Sequence, residues 1–318
     1  MRIGVRTALA FLLVLGMALP AFAAGGGYLF EANLAKFKDA KKIGSRDFKF
    51  LAKVDPAKDA EGNIALLREA VIAACKAEGY TLEPRKKGDR WRYSEKRYYD
   101  TPNYDLYKKG YVIRETIRFE KGGKPDPDKA VLTVKEMSPN DLNRIANSKL
   151  APVAGIESLV KFEENVSIAA DGKLHSYFES AIGARIKSKD LGERTLGDYA
   201  KFYPEFGNMG IPVGTKLVPV IGHGVDVKYG SVKLPDGSKA DAEIEVWSRT
   251  PGGQIFLAEI AFSLDDDEGY AATSPATMKA MEDFFLKVAG KALKPYAMPN
   301  SSGYMGSKVR ALFDQKKQ

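Results

Sequence analysis

The 318-residue sequence carries 49 Lys and Arg against 41 Asp and Glu, a net charge of +8, and its 44% hydrophobic content is ordinary for a globular chain. A single cysteine, Cys75, excludes an intrachain disulfide, so a hydrophobic core must stabilise the fold. The basic balance is compatible with an anionic ligand, nucleic acid or a membrane surface, and selects none of them.

Residues 1–23 read as a signal peptide. Arg2 and Arg6 form a basic start, Ala8 to Leu19 an apolar core, and Ala21-Phe22-Ala23 a small-residue cleavage site before Ala24. The apolar run is about a dozen residues against the ~20 of a spanning helix, and no later stretch approaches that length. A periplasmic or secreted protein is expected, with no stable membrane span after cleavage.

Residues 24–45 are rich in Gly and Lys and read as a flexible arm. A domain spanning residues 46–318 follows, with an irregular insertion near 171–214. Its first strand is Arg46 to Val54, followed by an amphipathic helix from Asn63 to Glu78 that ends at Gly79. Cys75 lies in that helical pattern, where a buried, inert thiol is expected. Strands are predicted near Tyr80 to Pro84, Arg90 to Tyr99, Tyr111 to Arg118, Val131 to Glu136 and Leu159 to Ile168. Leu174 to Ala184 reads as a helical piece. Three more strands, Leu217 to Lys233, Lys239 to Arg249 and Gln254 to Leu264, are joined by the turns Pro235-Asp236-Gly237 and Pro251-Gly252-Gly253. Ser274-Pro275 caps a helix whose buried stripe is Met278, Met281, Phe284, Phe285 and Val288, and Ser301 to Phe313 is expected to form a last short helix. Hairpin strands with inserted helices indicate an α+β domain on an antiparallel sheet or barrel.

Alternation places charge on one face of several strands. The cations are Lys53, Arg114, Arg118, Lys135, Lys161 and Lys228, and the carboxylates are Glu163, Asp241, Glu243, Glu245 and Glu259. These faces either form the wet side of a sheet or line a charged cavity, in which buried ions need counterions. Arginines and lysines would grip a polyanion, and carboxylates would suit Mg2+ or Mn2+.

Tyr99-Asp100-Thr101-Pro102, the short helix ending at Gly110, Ile113-Arg114 and Leu132-Thr133-Val134-Lys135 resemble the core signature of the CYTH, or triphosphate tunnel metalloenzyme, family. The order of elements is similar from Arg46 to Phe313. The resemblance implies an eight-stranded antiparallel tunnel-like β-barrel with flanking helices. It also implies a triphosphate- or polyphosphate-type anion as ligand, typically hydrolysed with Mg2+ or Mn2+. Substrate-binding roles fall on Lys53, Arg114, Arg118 (or Thr116), Lys135, Lys161 and Lys228, and metal-side roles on Glu163, Glu243, Glu245 and Glu259. No catalytic residue is assigned. The family's first strand carries Glu-x-Glu-x-Lys. Here the register Lys49-Phe50-Leu51-Ala52-Lys53 keeps only the lysine, with Asp47 assigned to the other face. The last strand reads Glu259-Ile260-Ala261, with alanine where a second glutamate is common.

Two function classes follow: a metal-dependent triphosphatase, or a tunnel that binds the anion without turning it over. A third, a structural or single-strand-binding module, draws on Arg90-Trp91-Arg92-Tyr93 and Lys96-Arg97-Tyr98-Tyr99. Alternating outer-face residues of one strand explain those runs better, and export removes the usual targets, so no nucleic acid is expected as partner. His175 and His223 stand too far apart in sequence for a metal pair and are expected in loops or at the surface.

Overall fold

The computed structural model of the protein describes residues 28–36, 43–138, 141–169, 171–265, 273–300 and 303–315. The expected leader lies outside them. The strands are β1 (Ser45–Ala52), β2 (Thr81–Pro84), β3 (Arg90–Asp100), β4 (Tyr111–Phe119), β5 (Val131–Ser138), β6 (Ser158–Ile168), β7 (Leu174–Ala184), β8 (Val218–Lys233), β9 (Lys239–Ser248) and β10 (Ile255–Asp265). The helices are α1 (Leu29–Lys36), α2 (Ala60–Ala77), α3 (Asp105–Lys108), α4 (Leu142–Ala146), α5 (Leu196–Ala200), α6 (Pro275–Lys287) and α7 (Lys308–Gln315). None of the described helices is long and apolar enough to cross a membrane.

The strands run β8-β3-β4-β5-β7-β6-β1-β10-β9, and β9 pairs back onto β8, closing a ring. This corrects the eight-stranded antiparallel expectation: the barrel has nine strands and is mixed, because β1 lies parallel to β6. Strand β2 extends the line of β3 along the far end of β8. The ninth strand is β7, where a helical piece is predicted. Leu174, Phe178 and Ile182 recur every four residues, a spacing that fits a helix face and also one face of a strand. Pairing with β5 on one side and β6 on the other decides for the strand.

Two apolar shells cover the outside. On one flank α2 and α6 lay Ile64, Leu67, Val71, Phe284 and Phe285 on Phe48, Phe50 and Phe262. The Phe262 and Phe284 rings meet edge to face at 4.9 Å. Helix α2 begins where Asp59 accepts from the Gly62 amide at 2.8 Å, and α6 where Ser274 accepts from the Thr277 amide at 3.0 Å. Within the segment expected to be a flexible arm, α1 docks on α6: Glu282 accepts from the Leu29 and Phe30 amides at 2.8 and 2.7 Å. On the other flank residues 185–217, the core of the expected insertion, lay Leu191, Leu196, Tyr199, Tyr203 and Phe206 over Tyr99, Tyr111, Ile113, Leu132 and Val134. A Thr195–Asp198 capping box starts α5 there.

The inner face divides into two parts. At one end Leu51, Tyr98, Val112, Val220, Trp247 and Leu257 surround Ala311, Leu312 and Phe313 of α7, so the C-terminal helix seals the barrel from within. The rest of the inner face is ionic.

Phe262→Ala should lower the unfolding free energy by about 3–5 kcal/mol in urea titrations, because the α2/α6 shell cannot collapse into the space. A loss under about 1 kcal/mol would contradict this packing.

Candidate anion site in the barrel lumen

Alternation along each strand sends every second side chain inward, and pairing fixes which residues meet. Across β3 and β4, Ser94 lies opposite Arg118, Lys96 opposite Thr116 and Tyr98 opposite Arg114. Across β4 and β5, Arg114 lies opposite Thr133. Glu163 faces Glu179 between β6 and β7, and Glu245 faces Glu259 between β9 and β10. On β8 the inner positions beside Trp247 and Glu245 are Gly222 and Gly224. A Cβ at Gly224 would come within 2.6 Å of Glu245 Oε1, and one at Gly222 within 3.0 Å of the Trp247 ring. Glycine is therefore required for these two side chains to lie across β8.

The charges are grouped into ionic knots. Lys96 and Lys308 both bind Glu245, and Lys308 Nζ stands 2.6 Å from Glu259 Oε1. Arg92 bridges Asp226 at 2.5 Å and Glu243 at 2.7 Å, and Lys228 pairs with Asp241. On the opposite wall Lys135 donates to Glu179 at 2.5 Å. Lys49 pairs with Asp47 at 3.0 Å and also donates to Asn165. Against the upward pull of burial, Lys308 and Lys96 hold the Glu245 carboxyl well below its ordinary range. Lys135 does the same for Glu179. Glu163 is pushed up to about 7 by burial and by the neighbouring Glu179. Asp226 is raised to about 6 by burial and by Glu245 and Glu243.

Arg114 differs from these. Among the described residues no carboxylate lies within ion-pair distance of it; the Tyr98 hydroxyl is its hydrogen-bonding neighbour, and Glu179 and Glu245 act on it from farther away. Its Nε is buried without an acceptor. The Thr116 and Ser94 hydroxyls and the Trp247 indole N–H are likewise buried and unpartnered. All four belong to inner-face positions of β3, β4 and β9. At the end away from α7, Arg90, Arg92 and Arg118 border a cleft of about 910 Å³, whose far side is the loop bearing Lys121, Lys124 and Lys129.

Of the residues expected to bind anion, Arg114, Arg118, Lys135, Lys161 and Lys228 all lie on the inner face; Lys161 stands 3.8 Å from Glu163 and is more than half exposed. Lys53 does not. It follows the end of β1, is exposed, and its amide donates to the Tyr296 carbonyl. Lys49 takes the inner position in its place, and Asp47, two residues earlier, shares that face, contrary to the expected assignment. The inner run of the first strand is thus Ser45, Asp47, Lys49, which retains one carboxylate, and Asp47 accepts from Ser263 Oγ at 2.7 Å.

The expected metal set is also corrected. Glu245 and Glu259 are neighbours, but Glu243 belongs to Arg92, and Glu163 stands on the other wall with Glu179. Among the described residues no three His, Cys, Asp or Glu side chains converge to hold a metal ion. The carboxylates present do not fit a Mg2+ or Mn2+ centre, because lysine ammoniums already occupy them. Lys96, Arg92, Glu179 and Lys308 are site residues that sequence reading missed. Lys96 and Arg92 are the even-numbered partners of the aromatic runs read as outer-face pattern, and Glu179 is hidden in the segment read as a helix. His223, expected at the surface, is buried on the outer face of β8, and His175 stacks on Tyr304 at 4.2 Å.

No family model matches the chain, and no curated protein matches it. Solved structures do. The chain is similar to an adenylyl cyclase-like protein from Hippeastrum described by a dominant triphosphatase activity, with TM-score 0.38, 15% identity, and coverage of 86% of this chain and 96% of that one. It is similar to the PH1819 protein of Pyrococcus horikoshii OT3, with TM-score 0.35, 10% identity, and coverage of 85% and 99%. An adenylate cyclase candidate from Bacillus halodurans gives TM-score 0.36, 10% identity, and coverage of 85% and 100%. Two of these neighbours are described as adenylyl cyclase-like, one of them with a dominant triphosphatase activity. At such identities and scores the likeness assigns no residue a role, and the site rests on this chain's own geometry.

Glu163 keeps its proton to about pH 7 in the folded protein but releases it near its ordinary value of 4.5 when unfolded. Its contribution to stability therefore falls as pH rises through that window, whereas the depressed Glu179 contributes above 4.5 and is lost below it. Between about pH 5 and pH 8, wild type should lose on the order of 1–3 kcal/mol relative to Glu163→Gln in urea titrations. A pH-independent difference would contradict the shared-proton pair.

Proposed function

We propose that the chain binds a triphosphate- or polyphosphate-type anion inside its barrel, and that it does so without a divalent metal. The anion enters by the mouth that carries Arg90, Arg92 and Arg118. The observation that carries this reading is Arg114: a guanidinium in the lumen with no carboxylate partner, beside unpartnered Thr116, Ser94 and Trp247 donors. A buried donor without an acceptor costs about 1–3 kcal/mol, and phosphoryl oxygens would supply acceptors to all four. Guanidinium geometry suits two such oxygens at once. The lumen carboxylates are largely matched to lysines and arginines, so they oppose an incoming anion less than their number implies.

Hydrolysis assisted by Mg2+ or Mn2+ is the second reading. The neighbouring Glu245 and Glu259 favour it, and the lysines bound to them weigh against it. Phosphate release from tripolyphosphate with either metal, in wild type, Glu259→Ala and Lys135→Ala, separates the two. Under the binding reading all three stay at background, and metal-dependent release by wild type would reverse the preference.

Calorimetric titration with tripolyphosphate in the presence of a chelator should give saturable binding that weakens as salt rises. Arg114→Ala should weaken it by about 10- to 100-fold, the value of a charge-assisted hydrogen bond of about 1.5–3 kcal/mol. No binding by wild type would end the proposal.

Export is part of the same proposal, supported by Arg2, Arg6, the apolar run and the Ala21-Phe22-Ala23 site. N-terminal sequencing of the protein recovered from its native cells should begin near Ala24. A protein retained inside with its leader uncut would contradict this.

A further inference from the structure

The ammonium of Lys308 occupies a position that chemistry would ordinarily give to a metal ion. It binds Glu245 and, at 2.6 Å, Glu259 Oε1, and it stands 5.8 Å from the centre of the Trp247 ring. Both carboxylates are almost wholly buried, at 4% and 3% exposure, and Glu259 Oε2 is buried with no hydrogen-bond partner. Two buried carboxylates side by side need a cation between them. This one comes from a segment remote in sequence from both strands. Lys308 opens α7, directly after Ser307, whose φ of +68° is a left-handed value rarely adopted by serine. The helix is held by Leu312 and Phe313 in the apolar end of the barrel, and Arg249 Nη2 donates to the Leu312 carbonyl at 3.3 Å. The ammonium is thus delivered by a docked element, while Glu245 and Glu259 are fixed on paired strands.

We infer that Lys308 is a tethered counter-cation standing in for a divalent ion, and that Glu245 and Glu259 can take a divalent cation only when that side chain is removed. Lys96, which also binds Glu245, remains when Lys308 is replaced and would neutralise part of the freed charge, so the site is expected to favour a cation that retains water ligands. The inference does not depend on the anion, because its test contains no phosphate.

The probe is Mn2+ alone, with the full mature chain. Of the two tryptophans, Trp247 adjoins Lys308, so a Trp91→Phe background makes paramagnetic quenching of its fluorescence the readout, with equilibrium dialysis alongside. With Lys308 in place Mn2+ should give no saturable quenching. Lys308→Met, which keeps most of the side-chain volume, should bind Mn2+ at a single saturable site about tenfold or more tighter than the background chain. Adding Glu259→Gln to Lys308→Met should abolish that site. Equal Mn2+ binding with and without Lys308, or a folded Lys308→Met that binds none, overturns the inference. Should Lys308→Met fail to fold alone, Mn2+ is expected to restore its cooperative unfolding transition; a chain that stays unfolded with Mn2+ overturns the inference equally.

Discussion

An ion on the inner wall of a closed barrel has no bulk water to turn to, and leaving it unanswered costs several kcal/mol. That constraint orders the rest of this protein. Among the described residues each inward carboxylate of the central lumen has a nearby cation or a shared proton: Glu245 and Glu259 through Lys96 and Lys308, Asp226 and Glu243 through Arg92, Glu179 through Lys135, Asp47 through Lys49. Ring closure between β8 and β9 sets Lys228 beside Glu243 and also Asp226 beside Glu245, a like-charged neighbour that Arg92 offsets. The inner glycines of β8 make room for Trp247 and Glu245 to reach these partners.

The fold isolates this ionic interior from the forces that stabilise it. Apolar burial lies mainly outside the ring, in the α2/α6 shell and in the shell built by residues 185–217. The wall can therefore carry charge without giving up its core. Only at the end sealed by α7 does the inside become apolar, and there Phe313 packs among Tyr98, Tyr104 and Tyr107. One end of the ring thus carries Arg90, Arg92 and Arg118 on the border of the cleft, and the other is filled by the chain's own C-terminal helix. Within the ring Arg114 stands out because its charge is not spent on a carboxylate, so it is the group with most to gain from an incoming anion.

Much of the architecture is legible in the sequence wherever a strand alternates without competition. The runs Tyr111 to Arg118, Val131 to Glu136 and Leu159 to Ile168 show which side chains share a face, and that logic places Arg114, Lys135 and Glu163 inward as the structure has them. It fails where two patterns fit equally. Leu174, Phe178 and Ile182 satisfy both a helix and a strand, so Glu179 goes unseen. The first strand offers a lysine at 49 and again at 53, two positions of the same face, and only the end of β1 at Ala52 leaves Lys49 as the one inside. Other features have no local signal at all. Nothing near Lys308 announces that it will meet two glutamates some fifty and sixty residues earlier, because that contact depends on where the last helix docks. The metal expectation fails for the same reason: residue types are legible, but which cation reaches them first is not.

The central claim, that the ionic side of the strands surrounds a shared lumen receptive to anions, is tested most directly by a cysteine placed inside it. Thr116→Cys puts a thiol beside Arg114, and the native Cys75 stays silent because it is buried, with a thiol pushed up to about 12 by burial. Its reaction rates with anionic and cationic methanethiosulfonates of similar size are then compared, with and without tripolyphosphate. The account predicts faster modification by the anionic reagent and protection by tripolyphosphate. Equal rates, or faster modification by the cationic reagent with no protection, would contradict it.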